Sequence, residues 1–142
     1  MKQTVNEKKY LVMVVDDDFA LRLPIKLTLE NANFSVIEAE NGQQAIDNFA
    51  SQKPDLILLD VIMPGVGGFE ACQKIRNLPG GRHVPIIMVT SLEDVETIDS
   101  AFHVGATDFI AKPINLNVLA HRTRYWLRSG TMLNDLNVSQ QR

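Results

Sequence analysis

Four short apolar runs, each ending in a residue able to handle phosphate or metal, constrain this chain more than any other feature. Tyr10-Leu11-Val12-Met13-Val14-Val15 ends in Asp16-Asp17, and Leu56-Ile57-Leu58-Leu59 ends in Asp60. Ile86-Ile87-Met88-Val89 ends in Thr90, and Phe109-Ile110-Ala111 ends in Lys112. Near-continuous apolar runs of this length read as strands of a parallel sheet buried on both faces. In open α/β sheets, ligands bind at the carboxyl ends of such strands. If the runs are parallel neighbours, three acids, a hydroxyl and an ammonium meet at one edge.

The segments between the runs support that arrangement. Asp16, Asp17 and Asp18 precede a helix expected over about 19–31, with Leu21, Ile25 and Leu29 on one face. Asp18 is read as its cap rather than as a ligand. Pro24 removes a backbone donor inside that helix, so a kink or a displaced start is expected. A short strand follows at Phe34 to Ala39, then a helix after Asn41-Gly42 that stops at Lys53-Pro54. After Asp60 comes the turn-rich loop Val61 to Gly68, then a helix of about 69–77. Val95, Ile98 and Phe102 form a helical stripe that Gly105 should end. The last helix begins near Asn115 and carries Leu116, Leu119, Thr123 and Leu127. The β-α alternation occurs five times, which implies a doubly wound parallel sheet with helices on both faces.

At 142 residues, 45% of them hydrophobic, the chain fits one ordinary globular domain. Residues 1–8 are expected to be a flexible arm, 9–128 the domain, and 129–142 a linker or helical extension weakened at Ser129-Gly130. The net charge of −3 gives no reason for direct nucleic-acid or membrane attraction. The polar start lacks a signal-peptide core, and a cytoplasmic location is the simplest reading. Cys72 is alone and excludes an intrachain disulfide. His83, His103 and His121 are scattered and are not read as ligands, while Trp126 suits either core or a dimer contact.

Three carboxylates within reach of one another repel. At ~4 Å and an effective dielectric of ~20, each pair costs about 4 kcal/mol. A cation relieves this, and an oxygen-only donor set with water and a phosphate oxygen suits Mg²⁺. Asp60 is then a nucleophile toward a phosphoryl group, since carboxylates form aspartyl phosphates. Lys112 and the Thr90 hydroxyl are placed to stabilise the oxygens of the transferring group.

Four marks, taken together, resemble the receiver domain of two-component response regulators. They are Val14-Val15-Asp16-Asp17-Asp18, Leu58-Leu59-Asp60-Val61-Ile62-Met63-Pro64, Val89-Thr90-Ser91 and Gly105-Ala106-Thr107-Asp108-Phe109-Ile110-Ala111-Lys112-Pro113. The resemblance covers roughly residues 9–128. It implies a flavodoxin-like (CheY-like) three-layer sandwich of five parallel strands in one sheet and five helices. It also implies Asp60 as phospho-acceptor and Asp17 as direct ligand to Mg²⁺ (or Mn²⁺). Asp16 would hold metal water, and the Ile62 backbone carbonyl would complete the metal shell. Thr90 and Phe109 would be the switch pair, Lys112 the phosphoryl-sensing lysine, and Lys112-Pro113 a cis bond. The implied partner is a sensor histidine kinase or phosphotransfer protein. Phosphorylation would change the face of the fourth helix, fifth strand and fifth helix. That would control an output domain or partner, with no turnover catalysis beyond self-phosphorylation and slow dephosphorylation. A homodimer through that face or through the last helix is compatible with this reading. The end of the chain is similar to receivers that precede cyclic-dinucleotide (GGDEF or EAL) output domains.

Two positions depart from the common pattern. Ile62 and Leu92 are bulky and apolar where polar side chains often orient the attacking water, so a long-lived phosphoform is expected. The alternatives are a small Mg-dependent phosphatase of the haloacid-dehalogenase type and an unphosphorylated receiver serving as an interaction module. The first would want Asp-x-Asp-x-Thr, and Asp16-Asp17-Asp18-Phe19-Ala20 lacks the Thr. Flavodoxin-like cofactor binding is disfavoured because acids in the first loop would repel a flavin phosphate.

Overall fold

A computed structural model describes residues 9–91 and 95–140. Five strands and five helices alternate along the chain. They are β1 (Leu11–Val15), α1 (Phe19–Asn31), β2 (Ser35–Ala39), α2 (Gly42–Gln52), β3 (Leu56–Asp60), α3 (Gly68–Arg76), β4 (Ile86–Thr90), α4 (Val95–His103), β5 (Asp108–Ala111) and α5 (Leu116–Gln140). The strands form one sheet in the order β2-β1-β3-β4-β5, and every pairing is parallel. The order reverses between β1 and β3, and such a switch point is where doubly wound sheets bind ligands. The fold is the one the apolar runs imply.

Period-two alternation divides the strands between two cores. Met13, Val15, Ile57, Leu59, Ile86 and Met88 pack with Phe49 of α2, Ile75 of α3 and Ala101 of α4. Val12, Val14, Leu56, Leu58, Ile87 and Val89 pack with Ile25 and Leu29 of α1 and Leu119 and Trp126 of α5. Because both faces are covered, β3 and β4 are buried throughout, which is why they read as unbroken apolar runs.

The helix signals hold with one exception. Asp18 caps α1, its carboxylate accepting from the Ala20 amide at 2.9 Å. Asn41 caps α2 through the Gln44 amide at 2.8 Å. Gly105, with φ at 100°, lies just past α4 and takes a conformation that L side chains rarely adopt. The start of α1 is not displaced by Pro24, which lies inside the helix. Its missing N–H would have served the Ala20 carbonyl; Ala20 and Pro24 are both exposed, so water can reach that group.

Trp126 is a core residue. It is 3% exposed, and its indole N–H donates to Asp108 Oδ2 at 3.0 Å. Cys72 is fully buried; its thiol donates to the Val104 carbonyl at 3.5 Å, and burial pushes it up to about 11. The helix α5 runs through Ser129-Gly130 to Gln140 without interruption. Among the described residues, no helix is long and apolar enough to cross a membrane. The expected arm at 1–8 and Leu92 lie outside the described residues.

Candidate phosphoryl-transfer and metal site

The backbone ladder continues one step past three strands and so positions the loops that follow. The Asp16 amide donates to the Ala39 carbonyl at 3.1 Å, Val61 to Val89 at 3.0 Å, and Lys112 to Thr90 at 2.8 Å. Asp16 continues the alternation of Val12 and Val14, Asp60 that of Leu56 and Leu58, and Lys112 that of Ile110. These three positions therefore share one face at the carboxyl edge. Thr90 instead continues Ile86 and Met88, and so lies on the face where Phe109 packs. The strand register sets Val89 beside Asp60 and Ala111 beside Thr90.

Carboxylate oxygens of Asp16, Asp17 and Asp60 all lie within 4.8 Å of one another. Asp16 and Asp60 are buried at 4% and 3% exposure, while Asp17 is exposed. The Lys112 ammonium bridges the buried pair, 3.1 Å from Asp60 Oδ1 and 3.5 Å from Asp16 Oδ2. The Asp60 carboxyl is held above its ordinary range, chiefly because burial strips its water and then because Asp16 repels its charge. Lys112 and a backbone hydrogen bond from Ile62 oppose that shift without cancelling it. Burial alone would lower Lys112, but its hydrogen bond to Asp60 and the charges of both acids outweigh this and raise it.

The donor set fits a hard divalent cation. It consists of oxygens only, carries net negative charge, and leaves Asp17 open to solvent at the mouth. The three histidines do not join it; among the described residues these three acids are the sole such group. Thr90 is 4% exposed. Phe109 is half-buried against Phe102 of α4 in an edge-to-face pair, with centroids 6.2 Å apart at 83°. Lys112-Pro113 is cis. Ile62, two residues beyond Asp60, is 61% exposed. A groove of 440 Å³ adjoins the site, lined by Leu21, Pro24, Val89, Ser91, Ile114 and Leu116 with Asp16 and Lys112.

The sequence reading missed Arg22 and Glu38. Arg22 is 6% exposed and donates to the Asp16 carbonyl at 2.7 Å and to Glu38 Oε1 at 2.8 Å. One signal was present: Arg22 shares a helical face with Ile25 and Leu29, where a solvated arginine is out of place.

The response regulator receiver domain matches residues 12–124, and the chain belongs to that family. It is 37% identical over 120 residues to the response regulator MprA of Mycolicibacterium vanbaalenii, covering 84% of this chain and 51% of that protein. It is 36% identical over 139 residues to the transcriptional regulatory protein ResD of Bacillus subtilis, covering 98% of this chain and 55% of that one. Among solved structures, the chemotaxis protein CheY4 of Vibrio cholerae superposes with a TM-score of 0.80 at 30% identity, over 83% of this chain and 98% of that one. The chain thus spans about half the length of the curated relatives it matches.

Proposed function

We propose that the domain receives a phosphoryl group on Asp60 from the phosphohistidine of a sensor kinase or phosphotransfer protein. The observation that carries this reading is the Lys112 ammonium held between buried Asp60 and Asp16, with Asp17 within carboxylate reach. An Asp60 carboxylate oxygen forms the new bond to phosphorus as the bond to the donor's imidazole nitrogen breaks, and the imidazole leaves. Asp16, Asp17, Asp60 and the Ile62 carbonyl would hold Mg²⁺ or Mn²⁺. That ion, when bound, neutralises charge on the acids and on the phosphoryl oxygens. Lys112 pairs with a second phosphoryl oxygen, and the Thr90 hydroxyl donates to a third. Inward movement of Thr90 opens space on its own face, into which Phe109 turns from its place against Phe102. The α4-β5-α5 surface changes with it, a local charge event that biases a two-state element.

The test is incubation with acetyl phosphate and Mg²⁺, followed by peptide mapping. One phosphoryl group on Asp60, absent in Asp60→Asn, is expected. Modification of Asp16 instead would mean phosphatase-type chemistry and overturn the reading.

The groove between α1 and the turn after β5 gives a kinase an apolar landing beside the acceptor. Residues 9–128 are the receiver unit in this reading, and the unbroken run of α5 as far as Gln140 supports a helical extension after residue 128, toward an output or a dimer partner. Relatives named as transcriptional regulators support an output in transcription over a cyclic-dinucleotide one. DNA contact would then belong to that output, and a cytoplasmic location is part of the proposal. Ile62, and Leu92 beyond the described residues, would slow attack by water. Ile62→Asn should shorten the phosphoform half-life several-fold, measured by loss of phosphate over time. An unchanged half-life would remove Ile62 from this role.

A further inference from the structure

We propose that Arg22 is a positioning residue for the metal-binding acids, acting through the peptide that joins Asp16 to Asp17. The inference rests on the reading of Asp16, Asp17 and Asp60 as a divalent-cation site. Asp17 is exposed, so surrounding packing does little to aim its carboxylate. Its direction is inherited from the backbone, and the backbone here is anchored by named bonds. The Asp16 amide donates to the Ala39 carbonyl at 3.1 Å, and the Asp16 carbonyl accepts from Arg22 at 2.7 Å. Because the peptide unit is planar, holding that carbonyl also holds the orientation of the Asp17 N–H and its φ axis. On the far side of Asp17, the Asp18 amide donates to Asp16 Oδ1 at 2.8 Å. The turn is thereby closed around Asp17, and Arg22 supplies a side-chain donor from outside it to the backbone carbonyl, whereas Lys112 reaches only the Asp16 carboxylate.

Arg22 is itself held. Its Nε donates to Glu38 Oε1 at 2.8 Å, and Lys26 sits 3.4 Å from the other oxygen of Glu38. The Phe19 ring lies over the guanidinium, 5.6 Å from centroid to carbon. The planar fork can serve a carboxylate and a carbonyl at once in a fixed geometry, which a lysine ammonium on a flexible stem does not reproduce. Glu38 lies in β2 directly before Ala39, so the acid that holds Arg22 and the acceptor of the Asp16 amide are neighbours on the same edge strand.

Charge alone would act in the opposite direction. A guanidinium near an acid cluster repels a divalent cation, so a purely electrostatic role predicts tighter metal binding once the charge is removed. A positioning role predicts weaker binding. The test is a calorimetric Mg²⁺ titration of the full chain, at a temperature where each variant is folded by circular dichroism. It is paired with hydrogen exchange of the Asp18 amide in metal-free protein. Arg22→Met should weaken Mg²⁺ about tenfold, at the low end of what supporting partners of metal ligands contribute. It should also speed Asp18 exchange more than exchange in β4. Arg22→Lys keeps the charge but loses the fork; it should weaken Mg²⁺ as well, and it carries the test if Arg22→Met does not fold. Wild-type or tighter Mg²⁺ binding in the folded variant would overturn the proposal. Asp17→Asn separates the two readings. If it binds Mg²⁺ as well as wild type does, the cation site fails and this inference falls with it. If it loses Mg²⁺ while the Arg22 variants retain it, only the role of Arg22 fails.

Discussion

At 3% exposure and beside a second buried acid, the Asp60 carboxylate is more costly to ionise in the metal-free fold than in the unfolded chain. Its folded pKa lies above the unfolded one, so the folded state binds the proton more tightly. Stability then falls as pH rises through the unfolded and then the folded value. Removing the charge should reverse that loss. Asp60→Asn is therefore expected to raise the metal-free melting temperature at neutral pH by a few degrees, given roughly 2–4 °C per kcal/mol for a chain of this size. The gain should vanish as pH drops below the ordinary carboxylate range, where wild-type Asp60 is protonated in both states. Thermal melts across pH check both the size and the sign. The repulsion behind this prediction was legible in the sequence, because three acids at two strand ends must meet if the strands are neighbours. The arrival of Lys112 at that edge was legible for the same reason, but its bridging of Asp16 and Asp60 was not. The Arg22–Glu38 pair was not: it joins a helix to an edge strand across 16 positions, and a charge pattern along the chain does not encode that contact.

Elements were readable in proportion to how completely the sheet buries them. The strands β3 and β4 are covered on both faces and appear as continuous apolar runs. The strands β1 and β2 both open on a part-buried residue, and the expected start of each was one residue early. Pro24 costs a hydrogen bond and was expected to kink α1 or displace its start. The start is not displaced: Arg22, Ile25 and Leu29 bury one face of the helix, and Ala20, whose carbonyl loses its donor, is an exposed residue. The start of α3 makes a sharper demand. A Cβ on Gly68 would collide with the Asp60 carbonyl and come within 2.8 Å of the Val61 Cα, both backbone atoms. The helix packs this closely onto the exit of β3, and the Gly68 amide donates to the Val61 carbonyl at 2.9 Å. Gly68→Ala should push the Asp60–Val61 segment away from the site. It is expected to destabilise the fold by about 1–3 kcal/mol, as overpacking does. It should also weaken Mg²⁺, whereas Gly65→Ala, where added bulk meets open space, should leave the metal site unaffected despite strain from its φ of 74°. Denaturant melts and a Mg²⁺ titration of the two variants separate crowding at Asp60 from a general loss of a glycine.

For the whole molecule, the site and the stability of the domain are one thermodynamic system. The carboxyl edge gathers Asp16 and Asp17 from the loop after β1 and Asp60 from the end of β3, and the unfolded chain holds no such cluster. A cation that binds the folded state alone must stabilise it by an amount set by its concentration relative to its dissociation constant. At one hundred times that constant the gain is about 2.7 kcal/mol. For a domain of this size that corresponds to a rise of roughly 5–10 °C in melting temperature. The rise should continue logarithmically with further Mg²⁺, and chelation should reverse it. Asp17→Asn should flatten the response without lowering the metal-free melting temperature, because Asp17 is exposed and its removal also relieves repulsion. Asp60→Asn should flatten the response while raising the metal-free value. Lys112→Ala separates the two cations: loss of the ammonium leaves buried Asp16 and Asp60 unrelieved, so the metal-free protein should melt lower. Added Mg²⁺ should then recover more stability than in wild type, since the ion no longer competes with Lys112 for Asp16 and Asp60. A Mg²⁺ response in Lys112→Ala smaller than in wild type would mean that the lysine supports the cation rather than standing in for it.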